Sequence, residues 1–408
     1  MHLPFSTVGR RLSAIDDIGL LTLVIFLVFM GIGTTGPTLT IYLKSLGADF
    51  GLISLILTSS SLVGLAGHRI WGGLSDRMGQ RKPIVALALA VMSLALFLIS
   101  RARTYSVVWG LQMLEALAMS AYTTVSLAWI GDWLARDQQQ GRRLGTYRGL
   151  GSLAFAAGAF VSGLIVNRFD IPQAYIFGAG AFALAGICSL PVREAPAEAH
   201  RADAEVGGGR FQWRDPVALA FLVGVVLWNL AHSAQASMFP NFVVALGLPE
   251  EASSWLWGLA ALVEGLLMPV IGILSDAVGN SLLLVSSGIS LALVMAGYLG
   301  LRLPRVTPLF LGAQLARGWG FASFTVISMM HATLLGNRKS RAGNVGLYGV
   351  ATSAGNIIGL AVGGQLVQGR SFAFLFACCG FCYLTASILF WVMTRKRNGI
   401  LRGAPAAE

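Results

Sequence analysis

The chain has 408 residues, 55% of them hydrophobic and only 12% charged, with 50 glycines and a net charge of +11. Ordinary soluble domains carry about twice that charged fraction, so water is excluded as the main solvent of this fold. The basic residues follow a membrane pattern instead of forming one patch, and no nucleic-acid partner is expected.

Stretches of 18 or more apolar residues, each able to cross roughly 30 Å of hydrocarbon as a helix, recur along nearly the whole length. They predict twelve spans at 18–43, 50–74, 83–101, 104–134, 144–167, 172–191, 216–246, 252–275, 281–301, 306–336, 342–368 and 371–395. The first run is too long for a signal peptide and has no small-residue cleavage site, so it is expected to stay as a helix. Residues 192–215 are polar and contain Gly207, Gly208 and Gly209, which reads as a cytoplasmic linker. The expected domains are a six-helix bundle at 1–191, that linker, a second six-helix bundle at 216–395 and a cytoplasmic tail at 396–408.

With both termini inside, 19 of the 29 Lys and Arg fall in inner segments and seven in outer loops. This asymmetry orients the chain as a multi-pass protein of the inner membrane with cytoplasmic ends. The cysteines, Cys188, Cys378, Cys379 and Cys382, all lie in predicted spans with neither metal-ligand nor disulfide spacing, so they read as packing residues.

An ionisable side chain near the bilayer centre costs about 2.5–3.5 kcal/mol, so it normally faces protein or a wet cavity. Glu115 lies near the middle of the fourth span and Arg317 near the middle of the tenth. Their settings, Q-M-L-E-A and Q-L-A-R-G, make them mates of opposite sign, with Gln112 and Gln314 as polar neighbours. Glu264 stands midway along the eighth span and is a candidate for reversible protonation or solute contact. The alternative for each is a buried structural contact.

The seventh span is unusually polar, with Asn229, His232, Ser233, Gln235 and Ser237 before Pro240 and Asn241. Histidine titrates near neutral pH, which makes His232 a candidate, although a lone buried histidine also serves as a packing residue. Thr34, Thr35, Gly36 and Pro37 form a comparable soft spot in the first span. Trp319, close to Arg317, is a candidate to stack on a ring or a sugar face.

The chain also repeats itself. Residues 72–82 read G-G-L-S-D-R-M-G-Q-R-K and residues 272–279 read G-I-L-S-D-A-V-G, so Gly72, Asp76 and Gly79 recur as Gly272, Asp276 and Gly279. Leu46-Gly47 returns as Leu246-Gly247, and Tyr147, Gly158 and Gly163 as Tyr348, Gly359 and Gly364, always 200 to 202 residues on. A register held over this distance signals internal duplication, a hallmark of transporters built from repeats.

On these motifs the chain resembles a major facilitator superfamily transporter over essentially its whole length. The resemblance implies an all-α membrane protein whose 12 transmembrane helices form two pseudo-symmetric six-helix bundles, working by alternating access. It also implies that the first, fourth, seventh and tenth helices line a central cavity with Glu115 and Arg317 across it. The loop motif is implied to gate, with Asp76 at the amino end of the eleventh helix and Arg77 and Arg81 beside Asp132. The bare residues also allow simple topological anchoring by Arg77, Arg81 and Lys82. The chain departs from the usual pattern at Gln80. It also has Gln112 where many proton–drug antiporters have an arginine, and no proline after Gly158.

No phosphate-binding loop, metal-ligand spacing or nucleophile with a placed base is visible, so no enzyme activity, metal or cofactor is expected. The reading is a monomeric secondary transporter that exports a small organic solute with a proton gradient as its energy source, with protons and membrane lipid as its other partners. The alternatives are a sugar or organic-acid symporter or facilitator, and a non-transporting sensor that keeps the fold. Only 13 residues follow the last span, which speaks against the sensor.

Overall fold

The computed structural model describes residues 5–134, 140–194, 216–300, 306–334 and 341–402, and no strand occurs among them. Within these segments the side chains of 5–16, 131–134, 140–149, 276, 306–307, 333–334, 341–345 and 394–402 are not described. The helices are α1 (Phe5–Thr35), α2 (Leu39–Ser45), α3 (Phe50–Met78), α4 (Lys82–Ser100), α5 (Tyr105–Leu134), α6 (Gln140–Arg168) and α7 (Ile171–Ser189). After them come α8 (Pro216–Ala245), α9 (Glu250–Val278), α10 (Asn280–Leu299), α11 (Val306–Leu334), α12 (Arg341–Gly369) and α13 (Phe372–Arg402). Most of the expected linker lies outside the described residues.

Among the described residues, eleven helical segments are long and apolar enough to cross a membrane. The tenth expected span, α11, is not among them. Gln314, Arg317, His331 and the glycines 312, 318 and 320 lower its mean hydropathy, so the helix richest in chemistry is the one composition recognises least.

The first span is two helices, α1 and α2, separated by one 3-10 turn at Gly36–Thr38. Pro37 has no N–H to donate, and the Thr34 and Thr35 hydroxyls bond back to the carbonyls of Met30 (2.8 Å) and Gly31 (3.2 Å). Together these loosen the helical ladder where the sequence suggests a soft spot. By contrast, α8 runs unbroken through Pro240.

The chain divides into two compact units. Unit 1 comprises Met1–Ala48, Ser59–Glu205 and Glu250–Gly258; unit 2 comprises Asp49–Thr58, Val206–Pro249 and Leu259–Glu408. Short stretches at the starts of α3 and α9 are therefore exchanged. Within unit 2 the Ser54 hydroxyl accepts a bond from Gly364 N (2.7 Å), and within unit 1 the Ser254 hydroxyl meets that of Ser162 (3.3 Å).

Both units follow one plan. In unit 1, α1 packs on α6 and α7, while α4 packs on α5 and α7; in unit 2, α8 packs on α12 and α13, while α10 packs on α11 and α13. The repeated glycines explain the closeness. A Cβ at Gly158 would lie 2.0 Å from the Met30 carbonyl oxygen, and one at its mate Gly359 would lie 2.3 Å from that of Leu230. Both substitutions would force helices apart.

The turns repeat as well. Among the described residues, positive φ occurs at Gly47 (90°), Gly79 (63°), Gly247 (80°) and Gly279 (83°), which are two pairs of mates. After α2, Gly47 N bonds to Lys44 O and Ala48 N to Leu43 O; after α8, Gly247 N bonds to Val244 O and Leu248 N to Val243 O. This paired closure needs a left-handed residue at its centre, so glycine recurs there.

Candidate functional site

Each unit carries a charged centre built on a glutamine one helical turn before the charge. In unit 1, Gln112 and Glu115 of α5 are three residues apart, and the Gln112 amide nitrogen donates to a Glu115 carboxylate oxygen. Tyr175 of α7 is close enough for its phenol to feel the Glu115 charge. Its ring lies 5.5 Å from that of Tyr42, whose hydroxyl donates to the carbonyls of Ile99 (3.1 Å) and Ala102 (3.0 Å). The carboxylate thus sits beside an amide and within electrostatic reach of the Tyr175 phenol.

In unit 2, Gln314 and Arg317 of α11 repeat the spacing with the opposite charge. The Arg317 guanidinium is 3% exposed, donates to Gln314 Oε1 (3.2 Å) and lies 5.3 Å from the Phe239 ring centroid. The amide nitrogen of Gln314 is turned the other way and donates to the Tyr298 hydroxyl (3.0 Å). A carboxylate only accepts and a guanidinium only donates, so each fixes which end of its glutamine faces it.

Around Arg317, unit 2 gathers further groups. Glu264 of α9 and the phenols of Tyr298 and Tyr383 lie within its electrostatic reach. So does His232 of α8. The His232 ring is 5.1 Å from Trp228 and 4.8 Å from Phe321, and Trp228 stacks on Phe324 at 3.7 Å. Trp228 Nε1, His232 Nδ1, the Tyr383 hydroxyl and both amide atoms of the fully buried Gln235 have no hydrogen-bond partner among the described residues. A buried unpaired polar atom costs about 1–3 kcal/mol, so these five, gathered along α8 and the Tyr383 ring packed against Trp228, mark a region not optimised for stability alone.

The other sequence candidates have local partners. Asn229 donates to the Val225 carbonyl within α8 (2.8 Å), and Trp319 Nε1 donates to the Ser286 hydroxyl (3.3 Å). Glu115 belongs to unit 1 and Arg317 to unit 2, each with the neighbours just described. Sequence reasoning did not single out Tyr175, Tyr298 or Tyr383. Their signal is weak but present: a phenol in an apolar span carries a hydroxyl that needs company.

In the loop motif, Arg81 turns back on its own segment. It is 7% exposed and donates to Asp76 Oδ1 (2.8 Å) and the Ser75 hydroxyl (2.6 Å). Arg77 is exposed. Glu194 Oε1 accepts from the backbone N–H groups of Arg81 (2.9 Å) and Lys82 (2.7 Å) at the start of α4, where exposed donors favour an anion. A Cβ at Gly72 would come 3.6 Å from the Thr124 side chain, whereas one at Gly272 would have open space. The side chains of Asp132, Asp276 and residues 341–345 lie outside the described residues.

The family model for the Major Facilitator Superfamily matches residues 21–304 and 230–406. The chain belongs to this superfamily. A Deinococcus radiodurans protein named "Putative sugar efflux transporter" is 25% identical over 92% of this chain and 98% of its own length. Sugar efflux transporter B of Salmonella typhimurium is 24% identical over 68% of this chain and 71% of its own. Quinolone resistance protein NorA of Staphylococcus aureus is 24% identical over 38% of this chain and 39% of its own. Among solved structures, the nucleoside transporter NupG superposes with a TM-score of 0.78 at 16% identity, covering 93% of this chain and 99% of that one. This superfamily chain therefore shares its fold with a solved transporter and its sequence with named efflux proteins.

Proposed function

We propose that this superfamily member exports a small hydroxylated solute of the sugar class by alternating access, exchanging it for protons at the inner membrane. One observation carries the reading: the two units hold matched glutamine–charge centres of opposite sign, Gln112–Glu115 and Gln314–Arg317. A carboxylate that can take up a proton and a guanidinium that cannot are the complementary parts an exchanger needs. Glu115 is the proton carrier, and Arg317 with Glu264 responds to solute.

The sugar class is supported by relatives named for sugar efflux along most of this chain. It is supported too by the unpaired polar atoms of Trp228, His232, Gln235 and Tyr383 beside aromatic faces, since hydroxyls and sugar rings need both. The shorter match to NorA gives a second reading, a drug exporter. In neither reading is the chain an enzyme. The loop at Gly72, Asp76, Arg77, Gly79 and Arg81 gates the cycle, with Gly272, Asp276 and Gly279 as its second copy.

A thermal-shift panel of mono- and disaccharides against fluoroquinolones, using protein purified in detergent, separates the readings. A bound ligand raises the unfolding midpoint with affinity and concentration. Stabilisation by a sugar, lost in Gln235→Leu, is the expected result; stabilisation by fluoroquinolones alone would replace sugar with drug.

A further inference from the structure

Away from both charged centres, a groove of about 690 Å³ runs along unit 1 between α4 and α7. Ala86, Ala90, Ser93 and Phe97 form one wall, Gly180 and Ala183 the other. The Ser93 hydroxyl is already bonded to the Ala179 carbonyl (2.8 Å), so the walls offer apolar surface. From Ala86 to Phe97 the groove extends about 16 Å at ~1.5 Å per residue, near half of the ~30 Å hydrocarbon thickness. That is the depth of one leaflet.

Two cations flank the lining residues of one end of the groove along the chain. Lys82 lies one turn before Ala86 on the same helical stripe, and Arg193 follows Leu190, another wall residue, by three positions. Lys82 N donates to Glu194 Oε1 (2.7 Å). Arg193 is pinned on both sides, its N–H to Asp17 Oδ1 (3.1 Å) and its carbonyl to Trp129 Nε1 (3.2 Å), while its side chain is exposed. The nearby acids are engaged: Glu194 binds backbone N–H groups and Asp76 binds Arg81. At the opposite end the Arg101 guanidinium lies 5.5 Å from the Phe97 ring centroid.

We propose that this groove binds an anionic phospholipid, with an acyl chain between α4 and α7 and the phosphate on Lys82 and Arg193. Charge complementarity selects this occupant. A second copy of the chain docked here about a two-fold axis along the membrane normal would set the same cations against one another. A phosphate meets both, and a guanidinium binds it bidentately. In the register of Gly79 and Gly279, the mate of Lys82 is Leu282, 61% exposed, so unit 2 lacks this cation.

The test is native mass spectrometry of delipidated protein titrated with phosphatidylglycerol or phosphatidylcholine of identical acyl chains; it measures binding and requires no transport. Two cations, each contributing about five-fold, predict that phosphatidylglycerol binds about twenty-five-fold more tightly. Lys82→Gln with Arg193→Gln should bring it down to the phosphatidylcholine level, and Gly180→Leu with Ala183→Leu should weaken both lipids. Equal binding of the two lipids, or a preference that survives the charge variant, overturns the proposal. So does a dimer that the filled groove abolishes. Should the filled-groove protein unfold, the charge variant decides alone.

Discussion

The charged centres of the two units use the same spacing for opposite ends. In unit 1 the glutamine offers its amide nitrogen to a carboxylate; in unit 2 the matching glutamine offers its oxygen to a guanidinium and passes its nitrogen on to Tyr298. Duplication supplied the frame, and a single change of charge reversed the hydrogen-bond polarity. The surroundings diverged with it. Unit 2 adds Glu264, His232 and an aromatic wall within reach of its charge, while unit 1 keeps the Tyr175 phenol. The more crowded centre therefore has more to lose when its charge is removed.

Four sets of substitutions press on that comparison. The largest effect is expected from packing that both units share: Gly158→Leu and Gly359→Leu each drive a side chain into a facing backbone carbonyl, and neither should yield folded monodisperse protein by size-exclusion chromatography. Similar losses would confirm that the units rely equally on this contact, whereas tolerance of either would break the symmetry.

Arg317→Met should cost about 3 kcal/mol of stability, because it removes a buried charge-assisted hydrogen bond to Gln314 and a cation within electrostatic reach of Glu264. Adding Glu264→Gln should recover much of that loss in a double-mutant cycle of thermal or denaturant unfolding. Additive losses would mean that the two side chains do not act together.

Gln314→Ala should cost about 1–3 kcal/mol by stranding a buried donor and acceptor, and Gln112→Ala only about 0.5–1.5 kcal/mol, because Glu115 is half-buried. The reverse order in unfolding midpoints would refute the claim that unit 2 is the more tightly coupled centre. The smallest effect belongs to the loop. Asp76 is 72% exposed in its pair with Arg81, so Asp76→Asn should change stability by less than about 1 kcal/mol while altering transport rate. An unchanged rate would remove the gating role.

Much of the fold was legible in the sequence because membrane physics writes it in long apolar runs and repeated glycines. The turns at Gly47, Gly79, Gly247 and Gly279 were visible as repeats before their positive φ angles gave the reason. Pro37 announced the break between α1 and α2. The exchange of 49–58 and 250–258 between units was not legible, since a continuous helix carries no mark where its neighbours change.

Side-chain partners were harder to read. Helices that are apolar all round have no stripe to show which face meets which, so nothing in the sequence joined Tyr298 or Tyr383 to Arg317. Arg81 has a sequence-nearby partner in Asp76 that the expectation did not name, and its expected partner Asp132 has a side chain outside the described residues. The spacing shared by Gln112–Glu115 and Gln314–Arg317 was legible, but the turned amide needed coordinates.

The most direct test of the exchanger account is solute flux in proteoliposomes under an imposed pH gradient, comparing the native protein with Glu115→Gln. Gradient-driven movement should vanish in the variant while solute counterflow at equal pH continues, because the proton carrier is gone and the solute centre remains. Gradient-driven flux that persists at the native rate in Glu115→Gln would contradict the account.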